Sequence, residues 1–281
     1  MRKILFVLLL FAQVAQGQGY FSTELIDCVV SLEKEDSLGK IIPHGTGFCI
    51  YNYNNPGELI VVTNEHVLRN GYIYIKSAVT DSAFRFMMRY KIDTVTVDGQ
   101  AWVLDGYNLH TKVFLKYGVN YLPHESLDIA IFKVPSFSGI NIGTDSVKVF
   151  KTTSLPLSLI KSKNDVKLGT PVYFVGFPFG IGHSYGFTIP DSYNDEKLTP
   201  LVRRGIVAWK SDTKKEFLLD AFSYPGNSGS PVYSETGVFG KKPGLIGIVY
   251  GHLGQPGKDG SNFGLARCYW VDEILELIKR L

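Results

Sequence analysis

The sequence contains few of the residues that build disulfide or zinc scaffolds. Only three cysteines occur, Cys28, Cys49 and Cys268. Three are too few for a disulfide framework, and they lie too far apart for a zinc-ligand motif. If the chain is exported, one disulfide is possible, and a bridge between Cys28 and Cys268 would tie the two ends of the mature chain together. Cys49 lies in the apolar segment GFCIY and is expected to be a buried small hydrophobe.

Long hydrophobic runs are also scarce. The N-terminal apolar segment ILFVLLLF, at 4–11, is far shorter than the ~20 residues of a membrane-spanning helix. It follows Arg2 and Lys3 and precedes small and polar residues, which together describe a secretory signal peptide. Ala15 and Gly17 satisfy the small-x-small rule, so cleavage is expected after Gly17. We therefore expect a periplasmic or secreted protein.

No strong excess of one charge is present, since 29 basic and 26 acidic residues give a formal charge of +3. The short basic clusters KSK and VRRG are better explained as solvated surface than as a nucleic-acid footprint. The absence of an Asn-x-Ser/Thr sequon favours a bacterial source over a eukaryotic glycoprotein. We expect no nucleic-acid partner and no membrane contact after signal cleavage. The sequence does not indicate an oligomeric state.

Helical periodicity is rare, and short segments rich in Val, Ile, Tyr and Phe recur between turn residues instead. This pattern predicts an all-β protein. The predicted strands are 27–33, 45–52, 58–64, 72–78, 85–92, 100–105, 111–118, 128–134, 170–177, 203–210, 216–223, 230–235, 244–251 and 262–269.

Two segments depart from this strand pattern. The stretch from about 136 to 169 is polar and turn-rich, and we interpret it as a connection between two domains. Residues 271–281 carry apolar side chains at helical spacing, with acidic residues in the first turn and basic residues in the last. That charge order suits the helix dipole, so a C-terminal helix is predicted.

Three polar residues lie at the edges of predicted strands. They are His66 in LIVVTNEHVL, Asp128 in ESLDIAIFKV and Ser228 in SYPGNSGSPVY. Each alone has an ordinary role as a strand-end or turn residue. Together they supply what nucleophilic catalysis by serine needs, which is a base and a carboxylate that orients it. Their chain order of His, Asp and Ser also differs from that of the α/β-hydrolases.

Five short motifs carry a family resemblance. They are GTGF at 45–48, TNEHV at 63–67, DIAI at 128–131, GFP at 176–178 and GNSGSPV at 226–232. With them the sequence resembles the trypsin-like serine peptidases of chymotrypsin fold. Within that family it is similar to the bacterial exported branch that includes the glutamyl endopeptidases and the Deg-type proteases.

The resemblance implies two six-stranded antiparallel β-barrels with the active site in the cleft between them. The expected organisation is a signal peptide at 1–17, a first barrel at 18–135, the connection at 136–169 and a second barrel with the C-terminal helix at 170–281. The separation between His66 and Asp128 is long for this family. The excess, roughly 77–112, is expected to form an additional hairpin or rim loop, which could shape access to the cleft.

The resemblance also assigns roles at the site. His66 would be the general base and then the general acid, Asp128 would orient its imidazole, and Ser228 would attack the peptide carbonyl. The backbone N–H groups of Gly226 and Ser228 would form the oxyanion hole. Gly226 is expected to adopt a conformation that a Cβ would disfavour. No metal and no cofactor are implied, and the substrate would be a protein or peptide.

Departures from the family pattern bear on specificity. Val249 occupies the position at which glutamyl endopeptidases carry a pocket histidine, so glutamate preference is not supported, and Phe222 favours an apolar pocket. Asn227 directly precedes Ser228, at the position where the digestive members of the family carry an aspartate, and this difference agrees with the bacterial branch. The candidate substrate-binding residues are Phe222, Ser223, Val249, Tyr250, Gly251 and His252.

The sequence leaves two alternatives to an endopeptidase. A catalytically silent protein of the same fold could bind peptides or a partner protein. Such a protein would more often have lost one of the three polar residues, and all three positions are filled here. An unrelated secreted β-sandwich that binds glycan or protein would have to match the ordered motifs by chance.

Overall fold

The computed structural model describes most of the chain after the predicted signal peptide. The described residues are 23–39, 41–56, 58–69, 72–77, 94–97, 100–105, 108–135, 140–142, 145–147, 154–178, 200–211, 213–235, 243–254 and 262–281. The predicted signal peptide and the predicted strand at 85–92 lie outside these ranges. Among the described helices, none is long and apolar enough to cross a membrane.

The first half of the chain forms a short helix, α1, and one antiparallel sheet. Helix α1 covers Thr23–Asp27. The sheet contains β1 (Val29–Glu35), β2 (Ile41–Tyr51), β3 (Glu58–Thr63), β4 (Tyr72–Ser77), β5 (Thr94–Val97), β6 (Gln100–Asp105), β7 (Asn108–Phe114), β8 (Tyr121–Pro123) and β9 (Ala130–Pro135).

The described strands of the first half correct the predicted six-stranded barrel in two respects, because they are nine in number and do not close into a barrel. They form a nine-stranded sheet in the order β5-β6-β7-β4-β1-β2-β3-β9-β8. The expected insertion supplies β5, β6 and most of β7, which pair as consecutive antiparallel strands and attach to β4. The described part of the insertion therefore forms paired strands, which agrees with the hairpin rather than the rim loop of the two expected forms, and it lengthens the sheet at the β4 edge.

The second half forms the closed six-stranded barrel that the resemblance implies. The elements are β12 (Pro171–Gly176), β13 (Leu201–Lys210), β14 (Glu216–Asp220), β15 (Pro231–Ser234), β16 (Gly244–Gly254), β17 (Asn262–Trp270) and the predicted C-terminal helix α2 (Val271–Arg280). The strand order around the barrel is β12-β13-β14-β17-β16-β15. With the antiparallel first sheet, these elements confirm the all-β, chymotrypsin-like fold.

The connection between the two halves is more structured than its turn-rich sequence suggests. It contains a small hairpin of β10 (Ile140–Ile142) and β11 (Asp145–Val147) and two short 3₁₀ turns. Leu155 bridges to Ile50 of the first sheet, and Ile160 bridges to Leu245 of the barrel. The connection therefore packs on both halves.

The hydrophobic core of the described residues has three parts, and each part contains one cysteine. One cluster fills the first sheet, one fills the barrel, and a third is built from both halves together with α2. Cys49, Cys268 and Cys28 lie in these three clusters in that order, and all are buried free thiols. The open possibility of a Cys28–Cys268 bridge is therefore not realised. Burial raises the pKa of Cys49 to about 12, which keeps that thiol protonated.

Candidate active site

His66 and Asp128 meet because their strands are neighbours in the first sheet. Strand β3 pairs with β9, and Thr63 lies opposite Ala130. His66 follows β3 in a one-turn 3₁₀ helix, Glu65–Leu68, and Asp128 precedes β9. The strand pairing thus brings His66 and Asp128 together although they are 62 residues apart in the sequence. Both residues lie at a strand edge, as the sequence predicts.

Asp128 holds His66 at two points. The His66 Nδ1 atom lies 2.5 Å from Asp128 Oδ2, and the His66 backbone N–H donates to Oδ1 at 2.9 Å. The buried side chain of Asn64 donates from Nδ2 to the Asp128 carbonyl oxygen at 2.6 Å. Ring, backbone and carboxylate are therefore fixed relative to one another.

The charge state of this pair sets the histidine tautomer. Partial burial raises the pKa of Asp128, but hydrogen bonds from the His66 ring and backbone outweigh burial and hold that pKa below its usual value. Asp128 is consequently a carboxylate near neutral pH and can only accept hydrogen bonds. The Nδ1 atom of His66 must then carry the ring proton, which leaves Nε2 as the free basic nitrogen of the neutral ring.

Ser228 lies in the tight turn between β14 and β15. Gly226 has φ +93° and Gly229 has φ +91°, a region that side chains with a Cβ rarely adopt. The expectation for Gly226 is confirmed. A Cβ on Gly229 would also overlap the carbonyl oxygen of Thr46, so this turn needs glycine for space as well as for conformation. The Gly229 N–H donates to the Val249 carbonyl at 2.8 Å, which anchors the turn to β16.

Thr46 of the first sheet clamps the serine turn. Its backbone N–H donates to the Ser228 carbonyl at 2.8 Å, and its hydroxyl donates to the Gly226 carbonyl at 2.7 Å. The same hydroxyl accepts from the Phe177 N–H at 3.1 Å, and the Thr63 hydroxyl donates to the Thr46 carbonyl at 2.7 Å. Thr46 therefore ties the turn to the β3 strand that precedes His66.

The close approach of the two halves depends on a further glycine, Gly45 of β2. A Cβ on Gly45 would lie 2.9 Å from the Val67 side chain and 3.4 Å from the Ser228 carbonyl oxygen. Val67 follows His66 directly, so Gly45 separates the histidine turn from the serine turn by only the thickness of a backbone. Within the described residues the Ser228 hydroxyl makes no hydrogen bond to His66. Contacts of this kind are often long without substrate and tighten when it binds.

The Gly226 and Ser228 N–H groups differ from the others in the serine turn. The N–H groups of Asn227, Gly229 and Ser230 each donate to a backbone carbonyl. In the described part of the chain, the N–H groups of Gly226 and Ser228 make no such bond. They are available for an incoming acceptor, as an oxyanion hole requires.

The sequence does not indicate the contribution of two residues near the site, Thr46 and His44. Thr46 lies within the GTGF motif, but its clamp acts on a turn 180 residues away in sequence, which only the fold reveals. His44 lies two residues earlier on β2, and its imidazole interacts electrostatically with that of His66. Burial, with Lys34 and His66, lowers the pKa of His44 to about 4, so it is uncharged at neutral pH.

The predicted pocket residues Phe222, Ser223 and Val249 have different environments. Phe222 is 48% exposed, and its ring lies against Gly264, where an added Cβ would be 3.3 Å from the nearest ring carbon. It also stacks on Tyr224, with ring centroids 6.1 Å apart. Ser223 and Val249 are buried. Their carbonyls accept from the Asn262 side chain and from the Gly229 N–H, so both contribute through the backbone.

The predicted substrate strand is the second half of β16. Tyr250, Gly251 and His252 are half-buried there, and a Cβ on Gly251 would meet no heavy atom of the described residues within 4 Å. The surface beside Gly251 is therefore open. Across the part of the chain that is described, no group of three or more His, Cys, Asp or Glu side chains is placed to hold a metal ion.

The family of the chain follows from its sequence match. A family model described as a trypsin-like peptidase domain matches residues 45–240. This range is well over half of the chain and includes the His66, Asp128 and Ser228 positions, and the chain belongs to the trypsin-like peptidases. Among curated proteins, no match to the chain was found.

The Thr46 clamp predicts a large stability effect for a small substitution. Thr46→Val keeps the shape of a fully buried side chain but leaves the Gly226 carbonyl and the Phe177 N–H unpaired. We expect urea unfolding to show a loss of about 2–4 kcal/mol, since each buried unpaired group costs about 1–3 kcal/mol. Thr170→Val, which loses one exposed hydrogen bond, is the control and should change stability by less than about 0.5 kcal/mol. Equal unfolding midpoints for the two variants would contradict the clamp.

Proposed function

We propose that this trypsin-like peptidase is an exported serine endopeptidase with His66, Asp128 and Ser228 as its catalytic triad. The observation that carries the proposal is the doubly held His66–Asp128 pair, which leaves Nε2 of the neutral ring free as a base. The clamp by Thr46, which fixes the Ser228 turn beside the His66 turn, gives further support.

In the acylation step, Ser228 Oγ forms a bond to the scissile carbonyl carbon while its proton passes to His66 Nε2. The negative charge that develops on the carbonyl oxygen is stabilised by the Gly226 and Ser228 N–H groups. The C–N bond then breaks, and His66 returns its proton to the leaving amine. Asp128 stays ionised throughout and stabilises the protonated imidazole.

Deacylation reverses the roles with water in place of the amine. A water molecule loses its proton to His66 Nε2 and attacks the ester carbon of the acylated Ser228. Collapse of the second tetrahedral intermediate releases the new carboxyl group, and the proton returns to Ser228 Oγ. The chemistry needs only the protein's own side chains, its backbone N–H groups and a water molecule, and we propose that no metal or cofactor takes part.

The substrate is proposed to bind as an added strand on β16. The open side of Gly251 and the half-buried Tyr250 and His252 offer a surface for an extended peptide. The exposed Phe222 ring supports an apolar side chain before the cleaved bond. The N-terminal sequence supports export, and the motif pattern with Asn227 supports assignment to the bacterial exported branch.

Peptide-library profiling tests this proposal against the silent binding protein. The mature protein is incubated with mixed peptides, and new termini are identified by mass spectrometry. An endopeptidase should give internal cuts that disappear in the His66→Ala variant. Peptides that bind but stay intact would favour the alternative, a catalytically silent member of the fold.

The β16 strand model predicts a substrate-length effect for Gly251→Val. The new side chain enters open space, so the free energy of unfolding should change by less than about 0.5 kcal/mol. It would block an added strand, and kcat/KM for extended peptides should fall at least about tenfold because the scissile bond is misplaced. A single-residue ester, which does not reach Gly251, is the control substrate and should be hydrolysed at the wild-type rate. An equal loss with both substrates would contradict strand pairing at Gly251.

A further inference from the structure

The segment that carries Asp128 folds around the side chain of His124. The His124 Nδ1 atom accepts from the backbone N–H groups of Ser126 and Leu127, each at 3.1 Å. The His124 backbone N–H donates to the Ile129 carbonyl at 2.8 Å, and the Ile129 N–H donates to the Leu127 carbonyl at the same distance. The residues on both sides of Asp128 are therefore hydrogen-bonded to His124.

These bonds determine which nitrogen of the His124 ring carries the proton. A ring nitrogen that accepts from N–H groups has no proton of its own, so the neutral ring is protonated on Nε2. That Nε2 atom lies 3.4 Å from Glu273 Oε2, and both side chains are largely buried, with exposed fractions of 12% and 15%. One nitrogen therefore holds the turn while the other lies beside a carboxylate, an arrangement that fixes the tautomer.

Glu273 belongs to the second half of the chain. It lies in the first turn of α2, and its Oε2 atom accepts at 2.7 Å from Nζ of Lys215, the residue directly before β14 of the barrel. Apolar contacts join the same elements, because the two neighbours of Asp128 pack in the core cluster that also contains residues of α2. His124 is thus a polar link between the Asp128 segment and the second half.

We infer that His124 is a positioning residue, which fixes the Asp128 segment so that its carboxylate stays aligned with His66. The inference rests on the proposed function and adds a residue to it. The Asp128 carboxylate accepts from His66 and its carbonyl accepts from Asn64, and both partners belong to the first half. His124 adds support from the second half through Glu273. Without it the main chain at Asp128 could shift, and small misplacements of catalytic groups cost rate.

Three substitutions of His124 separate the contributions of the two ring nitrogens. Asparagine places an oxygen acceptor near the position of Nδ1, glutamine places its amide near that of Nε2, and alanine supplies neither. We expect kcat for peptides to fall about tenfold to a hundredfold in His124→Ala and His124→Gln, because a misplacement of about 1 Å can cost about a hundredfold. His124→Asn should stay within about threefold of wild type. KM should stay within about twofold in all three, because the substrate strand is unchanged.

Asn120→Ala is the matched control for the loss of a side chain that holds a turn. The Asn120 side chain accepts from the Lys116 N–H at 2.8 Å, so its removal also loosens a turn of the first half. That turn lies at the other end of the β8–β9 pair from Asp128, since the Lys133 N–H donates to the Asn120 carbonyl. The kcat of Asn120→Ala should equal the wild-type value.

The kinetic comparison has defined contrary outcomes. Wild-type kcat in His124→Ala or His124→Gln would overturn the inference. A loss in His124→Asn or in Asn120→Ala as large as the loss in His124→Ala would also overturn it. If His124→Ala does not fold, the comparison of His124→Gln with His124→Asn decides.

A second readout does not depend on turnover. The proton between His66 Nδ1 and Asp128 Oδ2 should give a far-downfield proton NMR resonance, because the two atoms are 2.5 Å apart. We expect this resonance to shift or broaden in His124→Gln and to stay unchanged in His124→Asn and Asn120→Ala. The same resonance in all of these variants would overturn the inference. If the wild type cleaves nothing, the proposed function fails while this measurement still tests the alignment of Asp128 by His124.

Discussion

Replacing Ser228 by alanine is expected to lower kcat for peptide hydrolysis by about 10⁶, the cost of removing the nucleophile from a serine triad. The residual rate would come from the oxyanion donors and from substrate binding. The change removes one oxygen from a half-buried side chain whose backbone carbonyl stays bound to Thr46. The fold and peptide binding should therefore persist, and steady-state kinetics on the peptide that the wild type cuts best measures the loss.

The control for this variant is Ser126→Ala. Ser126 is an exposed serine in the turn before Asp128, and its described hydrogen bond is made by its backbone N–H. The kcat of the Ser126→Ala variant should equal the wild-type value. A Ser228→Ala enzyme that keeps even one-hundredth of the wild-type kcat would mean that another group is the nucleophile.

Asp128→Asn is expected to lower kcat by about 10⁴ without removing the nucleophile or the base. An amide nitrogen at the Oδ2 position would donate to His66 Nδ1, which would force the ring proton onto Nε2, the atom that we propose accepts the Ser228 proton. The loss should appear in kcat rather than KM. Wild-type kcat in this variant would contradict the assigned tautomer.

The same substitution has a defined effect on stability as pH changes. The pKa of Asp128 in the folded protein lies below its unfolded value of 3.8, because hydrogen bonds from His66 outweigh burial. The stability that ionised Asp128 contributes is therefore complete above that value and is lost as pH falls through the folded pKa. Urea unfolding should show Asp128→Asn to be less stable than wild type at pH 6, with the difference shrinking toward pH 2. A difference that does not change with pH would contradict the lowered pKa.

Strand patterns and motif order predicted the parts of the fold that short-range sequence can encode. The segments around His66, Asp128 and Ser228 alternate apolar residues and end in turn residues. Both the strands and the position of the polar residues at the strand edges can therefore be predicted from the sequence. The terminal helix was predicted because its apolar spacing and its terminal charges agree.

The elements that were missed are short or are defined by distant contacts. Strand β8 has three residues and ends in a proline, and helix α1 has five residues, so neither carries a measurable periodicity. The extra sheet strands arise because β7 pairs with β4, which the local pattern does not specify. Strand pairing across a long separation depends on packing and burial as well as on local preference.

The supporting residues of the site were missed for the same reason. Thr46 acts on a turn that is 180 residues later in the chain. Motifs identify the candidate catalytic groups, whereas the residues that hold those groups in place are found from the tertiary contacts.

The most direct test of the account is modification of the mature protein by a fluorophosphonate, followed by peptide mapping. Wild type should gain one adduct on Ser228, because only a serine activated by His66 attacks the phosphorus centre. Ser228→Ala and His66→Ala should remain unmodified, while Ser126→Ala should react like wild type. An unmodified wild-type protein, or an adduct that persists in Ser228→Ala, would contradict the claim that this fold carries a working serine triad.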